Sequence, residues 1–160
     1  MLRNWLGRSF KKALLGGEKM SAYIGVWVYS ESKDLMIEMM GSELADKLQA
    51  QLSAVLLGHE VKSQANELIG YGADKVYLVE NPALKSLSTE PRLSAITSLV
   101  IQHKPEIILI GSTRRGREIA SRLATRLETG CVPDCTQLSL DEQGRLVTDC
   151  LLYTSDAADE

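Results

Sequence analysis

Residues 107–120 read Ile-Ile-Leu-Ile-Gly-Ser-Thr-Arg-Arg-Gly-Arg-Glu-Ile-Ala, and they contain the pattern from which the fold class is predicted. The four apolar residues Ile107–Ile110 predict a short strand that is buried on both faces. Gly111 ends that strand. A helix is predicted from about Arg117 to Leu127, because apolar residues recur there at a spacing of four. A buried strand that runs directly into an amphipathic helix is the repeating unit of α/β proteins.

The same strand-then-helix unit repeats towards the N-terminus, where apolar runs alternate with segments of helical spacing. Four such units in a row predict a mainly parallel sheet, because each crossover helix returns the chain to start the next strand alongside. The expected class is a three-layer open α/β sandwich of Rossmann-like, nucleotide-binding architecture. The strands are predicted at 23–29, 52–57, 75–79, 107–110 and 131–140, with a turn at Gln143-Gly144 into 145–148, and the helices at 35–51, 61–69, 92–103 and 117–127.

Composition limits the classes of protein that the chain can belong to. It has 160 residues, of which 44% are hydrophobic and 24% charged, which suits one sizeable core. No apolar run approaches the roughly 18 residues needed to span a membrane. Residues 20–150 carry a net charge of −4, which argues against a nucleic-acid partner. The three cysteines are too few to suggest a disulfide framework, so we expect a reducing, cytoplasmic compartment.

The two ends differ from residues 20–149, which we take as the domain. Residues 1–19 are basic and are followed by Met20. Three interpretations stay open: a membrane-surface or targeting helix, an extra ordered element, or sequence upstream of a true start at Met20. Residues 150–160 resemble the translation of a sequencing adapter and are expected to be a non-native tail. We therefore expect the natural protein to continue beyond Asp149.

A ligand site is expected where the chain leaves the strand at 107–110, because open α/β sheets bind ligands beyond the carboxyl ends of their strands. Gly111 and Gly116 would let the backbone approach a partner closely. Ser112 and Thr113 could cap a helix or donate to an anion, and Arg117 is one of three arginines that add positive potential. Two interpretations remain: a phosphate cradle, or a helix cap whose arginines pair with acids on a neighbouring domain.

The sequence predicts neither catalytic residues nor a metal site. His59 and His103 are far apart in the chain and lack neighbours at ligand spacing. The Gly-x-Ser-x-Gly turn that would expose a nucleophilic serine does not occur. The five residues of the 111–117 turn are therefore the candidates for binding, and no residue is assigned to catalysis.

Two motifs resemble the electron transfer flavoprotein alpha subunit. One is Gly111-Ser112-Thr113-x-x-Gly116-Arg117-Glu118-Ile119-Ala120, and the other is Thr129-Gly130-x-x-x-Asp134-Cys135-Thr136. The resemblance covers roughly residues 22–149, including the first strand Ile24-Gly25-Val26-Trp27-Val28-Tyr29. Ser121 departs from the pattern, since the family usually has proline there.

The resemblance implies a heterodimer with a beta subunit that carries electrons from acyl-CoA or other dehydrogenases to an acceptor through FAD. It implies an electron carrier without substrate turnover of its own, and a partner subunit that holds AMP or a second FAD. The family's main FAD contacts lie in a C-terminal domain without a counterpart here, so this part would be a scaffold and partner-binding domain. The alternative is a stand-alone nucleotide-binding domain of the universal-stress-protein type, with the 111–117 loop on ATP phosphates.

Overall fold

The computed structural model describes residues 2–3, 25–41, 44–86, 88–141 and 146–150. Strands and helices alternate along most of this length, as the sequence predicts. The strands are Leu2–Arg3 (β1), Val26–Tyr29 (β2), Leu52–Gly58 (β3), Lys75–Glu80 (β4), Ile107–Ile110 (β5), Gly130–Cys131 (β6), Cys135–Leu140 (β7) and Leu146–Cys150 (β8). The helices are Lys33–Met40 (α1), Leu44–Leu48 (α2), Lys62–Gly70 (α3), Thr89–His103 (α4) and Arg114–Arg126 (α5), with a 3₁₀ turn at Pro82–Leu84.

The main sheet has the strand order β4-β3-β2-β5-β1-β6. Strands β4, β3, β2 and β5 are parallel, and β1 lies antiparallel between β5 and β6. The chain adds β3 and β4 on one side of β2 and then crosses to place β5 on the other side. The strand order therefore reverses between β2 and β5. This arrangement confirms the predicted mainly parallel α/β sheet.

Helices cover both faces of the sheet because successive strand residues point to opposite sides. In β2, Trp27 and Tyr29 face one core, which includes Leu93 and Ile96 of α4 and Ile119 of α5. The alternate residues Val26 and Val28 face a second core, which includes Met36 and Met40 of α1 and Leu68 of α3. The two cores and the sheet between them form the three layers of the predicted sandwich.

Several predicted bounds are wrong. The first strand, predicted at 23–29, begins at Val26: Gly25 is not part of it, and residues 23 and 24 lie outside the described residues. The helix predicted at 35–51 is two helices, because the chain turns at Gly41, whose N–H closes the last turn of α1 on the carbonyl of Ile37. Helix α4 begins at Thr89 and α5 at Arg114, both three residues earlier than predicted. The first three residues of each helix carry no large apolar side chain, so the apolar spacing placed these starts too late.

The fifth predicted strand, 131–140, is also wrong as one element. Its first residue ends β6, whereas Cys135–Leu140 forms a separate two-stranded antiparallel sheet with β8. The break falls at Pro133, which has no N–H for a ladder, and at Asp134, whose φ of 47° is left-handed. The predicted turn at Gln143-Gly144 and most of residues 1–24 and 151–160 lie outside the described residues.

Core packing of α4 should contribute to the free energy of unfolding. Two isoleucines of this helix, one buried and one exposed, allow a matched test. Ile96 is 0% exposed and Ile101 is 63% exposed. We expect Ile96→Ala to lower the free energy of unfolding by about 2–5 kcal/mol, because it leaves a cavity in the packed core. The control Ile101→Ala should change it by less than about 0.5 kcal/mol. Urea unfolding followed by circular dichroism measures both, and equal losses would contradict the packing described here.

Candidate functional site

The candidate site lies where the strand order reverses, at the carboxyl ends of β2 and β5. The backbone N–H of Gly111 donates to the carbonyl of Tyr29 at 2.9 Å, which joins the chain after β5 to the end of β2. This is the edge at which open α/β sheets bind ligands. The structure therefore brings the predicted 111–117 segment to the predicted place.

Gly111 and Gly116 occupy positions where a side chain has no room. A Cβ on Gly111 would lie 2.7 Å from both the Ser30 hydroxyl oxygen and Leu35 Cδ2. A Cβ on Gly116 would lie 1.9 Å from the carbonyl oxygen of Gly111. Gly116 thus allows the close approach of α5 to the end of β5, and Gly111 allows the end of β5 to lie against Ser30 and α1. The sequence predicted a close approach here but could not say that the partner is the protein itself.

Thr113 links the start of α5 to the end of β2. Its hydroxyl accepts the N–H of Gly116 at 2.9 Å and so caps the helix. The same hydroxyl donates to Oε1 of Glu31 at 2.5 Å. The other oxygen of that carboxylate, Oε2, is buried and accepts no hydrogen bond from the described residues. Thr113 therefore acts as a cap and also fixes a carboxylate at this edge.

Ser112 and Arg117 meet on one carboxylate, that of Asp134. The Ser112 hydroxyl donates to Oδ1 of Asp134 at 2.6 Å, and an Arg117 nitrogen donates to the same oxygen at 3.3 Å. The Ser112 hydrogen bond, together with the hydrogen bond and positive charge of Arg117, holds the pKa of Asp134 below its usual value. The segment after β6 is thereby tied to the start of α5.

Two further arginines of α5, Arg122 and Arg126, also have acidic partners in this chain. Arg122 pairs with Glu118 at 3.2 Å and with Glu90 of α4, and Arg126 pairs with Glu90 at 2.5 Å. The hydrogen bond from Arg126 is the main reason that the pKa of Glu90 is lowered. The sequence left two partners open for Arg117, an external phosphate or acids of a neighbouring domain. In the structure, Arg117 pairs with Asp134 of the same chain.

An apolar cavity of about 410 Å³ adjoins the segment. Its walls come from α1, from the end of β5 and from the stretch between β6 and β7. The apolar lining residues include Leu35, Met39, Ile110, Val132 and Leu138. Residues of α5 and of the 111–117 segment complete the wall, and because most of the lining is apolar, the cavity is suited to apolar contact.

Glu31 and Asp134 are the partners of the segment that sequence reasoning missed. The position of Glu31 directly after β2 is a signal that could have found it, because the carboxyl ends of β2 and β5 meet at the reversal. Asp134 had no comparable signal, since its contact depends on the break between β6 and β7. Among the described residues, no group of three or more His, Cys, Asp or Glu side chains could hold a metal ion.

Comparison with known proteins assigns the family. The model of the electron transfer flavoprotein domain matches residues 39–158. The chain is 42% identical over 135 residues to the electron transfer flavoprotein subunit alpha of Thermoanaerobacterium thermosaccharolyticum, which covers 80% of this chain and 41% of that protein. It is also similar to the Clostridium acetobutylicum subunit alpha, at 42% over 130 residues, covering 77% of this chain and 39% of that protein.

A third relative is the protein FixB of Azorhizobium caulinodans, 37% identical over 156 residues, which are 86% of this chain and 42% of that protein. The chain belongs to the electron transfer flavoprotein family. It spans about two fifths of the length of the curated relatives it matches. The described helices include none long and apolar enough to cross a membrane.

Because Gly116 lies so close to the Gly111 carbonyl, we expect an alanine at this position to change stability in the direction opposite to its helix propensity. Alanine normally stabilises a helix relative to glycine by about 1 kcal/mol. We expect Gly116→Ala to destabilise the fold by about 1–3 kcal/mol, because its Cβ meets the Gly111 carbonyl. Gly70→Ala is the control, since nothing lies within 4 Å of a Cβ there, and it should be neutral or mildly stabilising. Denaturant titration measures both, and a stabilising Gly116→Ala would contradict the geometry.

The Asp134 carboxylate makes a pH prediction. Because its folded pKa lies below the unfolded one, its stabilising contribution is present above the unfolded pKa, about 3.9, and is lost as the pH falls through the folded pKa. Ser112→Ala should raise the pKa of Asp134 towards its ordinary value. Ser98→Ala, which removes an exposed helix hydroxyl, should leave that pKa unchanged. Carboxyl-carbon NMR titration reads the pKa directly, and equal values in both variants would refute the assigned cause.

Proposed function

We propose that this chain is the N-terminal α/β domain of an electron transfer flavoprotein alpha subunit. The observation that carries the proposal is the family match over residues 39–158, together with relatives named as alpha subunits at 42% identity. In this proposal the intact protein pairs with a beta subunit and carries electrons from dehydrogenases to an acceptor through FAD. The isoalloxazine ring of the flavin supplies the electron chemistry.

The described residues suit a scaffold and partner surface better than a flavin or phosphate cradle. Hydroxyl and guanidinium groups that help to hold a phosphate need hydrogen-bond donors that are free to turn towards it. Here the hydroxyls of Ser112 and Thr113 donate to Asp134 and Glu31, and Arg117 also faces Asp134. We therefore propose that the 111–117 segment is a structural turn near a subunit or domain interface. The main FAD contacts would come from the part of the alpha subunit that lies outside this alignment.

The finer assignments follow the same proposal. The protein would be an electron carrier without substrate turnover of its own, in the cytoplasm, and its partner subunit would hold AMP or a second FAD. Its electron donors would be acyl-CoA or other dehydrogenases, as in fatty acid β-oxidation. One relative, 40% identical over 129 residues, is named acryloyl-CoA reductase electron transfer subunit beta, from Anaerotignum propionicum. That name supports a donor or acceptor that handles acyl-CoA thioesters.

The universal-stress-protein interpretation is the weaker candidate. It shares the open α/β fold, but it assigns the 111–117 loop to ATP phosphates. That role conflicts with the carboxylates of Glu31 and Asp134, which already accept hydrogen bonds from the loop and would repel a triphosphate. The family match also favours the electron transfer assignment.

The proposed role of Arg117 can be tested in the complete alpha subunit, produced together with its beta subunit. We expect Arg117→Ala to weaken heterodimer assembly or flavin retention, because it frees Asp134 and loosens the segment after β6. Arg114→Ala is the matched control, since Arg114 is an exposed residue of the same helix turn. Size-exclusion chromatography with the flavin absorbance measures both properties. Unchanged dimer affinity and flavin content in Arg117→Ala would overturn the proposed role.

A further inference from the structure

A second cavity, of about 440 Å³, opens at the carboxyl ends of β2 and β3 and does not involve the 111–117 segment. Its walls come from α1, the 3₁₀ turn, and the starts of α3 and α4. The polar and charged residues that line it include Ser30, Glu31, His59, Glu60, Lys85 and Arg92. Its volume lies in the range that small-molecule sites occupy.

The Arg92 side chain is buried at the wall of this cavity, although it carries a full positive charge. Its residue is only 6% exposed. Its guanidinium donates to the Tyr29 hydroxyl at 3.4 Å and to the carbonyls of Leu57 at 3.2 Å and Leu84 at 3.1 Å. All three acceptors are neutral. The Nε–H is buried and donates to none of the described residues.

This arrangement leaves a charge without a counter-ion. A guanidinium has five N–H donors, of which the three hydrogen bonds above use three. Ion pairing accounts for most buried charges in proteins, because an unpaired charge is costly to remove from water. In the described part of the chain, no carboxylate lies within ion-pair distance of Arg92. An anion in the cavity, which Arg92 lines, would supply the missing counter-charge.

A second side chain at this cavity, that of Glu31, has a buried hydrogen-bond acceptor without a partner among the described residues. The described residues contain two buried side-chain atoms without a hydrogen-bond partner, Arg92 Nε and Glu31 Oε2, and both residues line this one cavity. An anion alone would suit the arginine and be repelled by the glutamate. A molecule that carries an oxyanion at one end and hydroxyl donors at the other would satisfy both groups.

The remaining charges around the cavity are compatible with such a ligand. Lys85 has no ion pair among the described residues and can add a second positive charge to the oxyanion. Lys33 is already paired with Glu67 at 2.8 Å. Glu60 has a side chain that is 87% exposed, with its carboxylate 3.9 Å from the His59 ring, so water screens it.

We propose that this cavity binds a small hydroxylated molecule that carries a phosphate or carboxylate group. Arg92 holds the oxyanion with help from Lys85, and the free oxygen of Glu31 accepts a hydroxyl. The ligand would bridge β2, β3 and the start of α4. This binding function is separate from electron transfer and does not depend on the flavin.

The test is ligand binding to the full chain by calorimetry and thermal unfolding, with ribose 5-phosphate and gluconate as the phosphate and carboxylate probes and ribose as the uncharged comparison. We expect at least one charged probe to bind and raise the unfolding temperature, while ribose has no effect. Arg92→Met should weaken that binding at least about tenfold, because it removes a charged hydrogen-bond donor. Arg114→Met, which removes an exposed arginine, should bind like the wild type.

A direct measurement covers the case in which Arg92→Met fails to fold. In the wild-type chain, the guanidinium N–H resonances of Arg92 should shift on addition of the probe that binds, because the negative charge of the probe then lies beside the guanidinium. A response to ribose 5-phosphate alone assigns the site to phosphate esters, and a response to gluconate alone assigns it to hydroxy acids. If neither probe binds, or if Arg92→Met binds as well as the wild type, Arg92 is a structural clamp and the proposal is wrong.

Discussion

Helix α5 can start directly at the end of β5 only because Gly116 has no side chain. The Gly111 carbonyl occupies the place where its Cβ would stand, 1.9 Å away. A side chain at residue 116 would push the start of α5 away from the end of β5. The close approach places Thr113 beside Glu31, and Ser112 and Arg117 beside Asp134. The hydrogen bonds at the strand reversal depend on this one steric constraint, since any wider separation would move all three donors away from their acceptors.

The close approach of α5 to β5 also explains how two segments that are distant in sequence, the ends of β2 and β6, are joined by hydrogen bonds. Glu31 follows β2 and Asp134 precedes β7, yet both carboxylates meet the first turn of α5. Asp134 takes up a left-handed backbone conformation to do so. Asp tolerates this conformation better than most residues because its short side chain can hydrogen-bond locally. The hydrogen bonds to Ser112 and Arg117 offset the remaining strain, so the start of α5 organises the edge of the sheet on both sides of β5.

Sequence reasoning succeeded where the physical signal is local. The apolar run Ile107–Ile110 has the bounds of β5, and the repetition of strand and helix predicted the parallel sheet. The start of α5 and the division of the helix predicted at 35–51 were missed, because helix ends are set by capping residues that do not appear in the apolar pattern. The partners of the 111–117 segment depend on the tertiary fold: Thr113 and Glu31 are 82 residues apart. A pattern can locate a donor at a strand end, but it does not reveal which acceptor the fold brings to it.

Two arginines at this edge of the sheet show why position matters more than residue type. Arg117 is half-exposed, and its charge is balanced by Asp134, so it stabilises the fold without any ligand. Arg92 is deeply buried, and its acceptors in the described chain are neutral. The sequence singled out Arg117 because it follows a glycine-rich turn, and overlooked Arg92 because it lies within a regular helix. The charge of Arg117 is screened by water and needs no further counter-ion. The charge of Arg92 is buried beside a cavity and therefore favours an anion in that cavity.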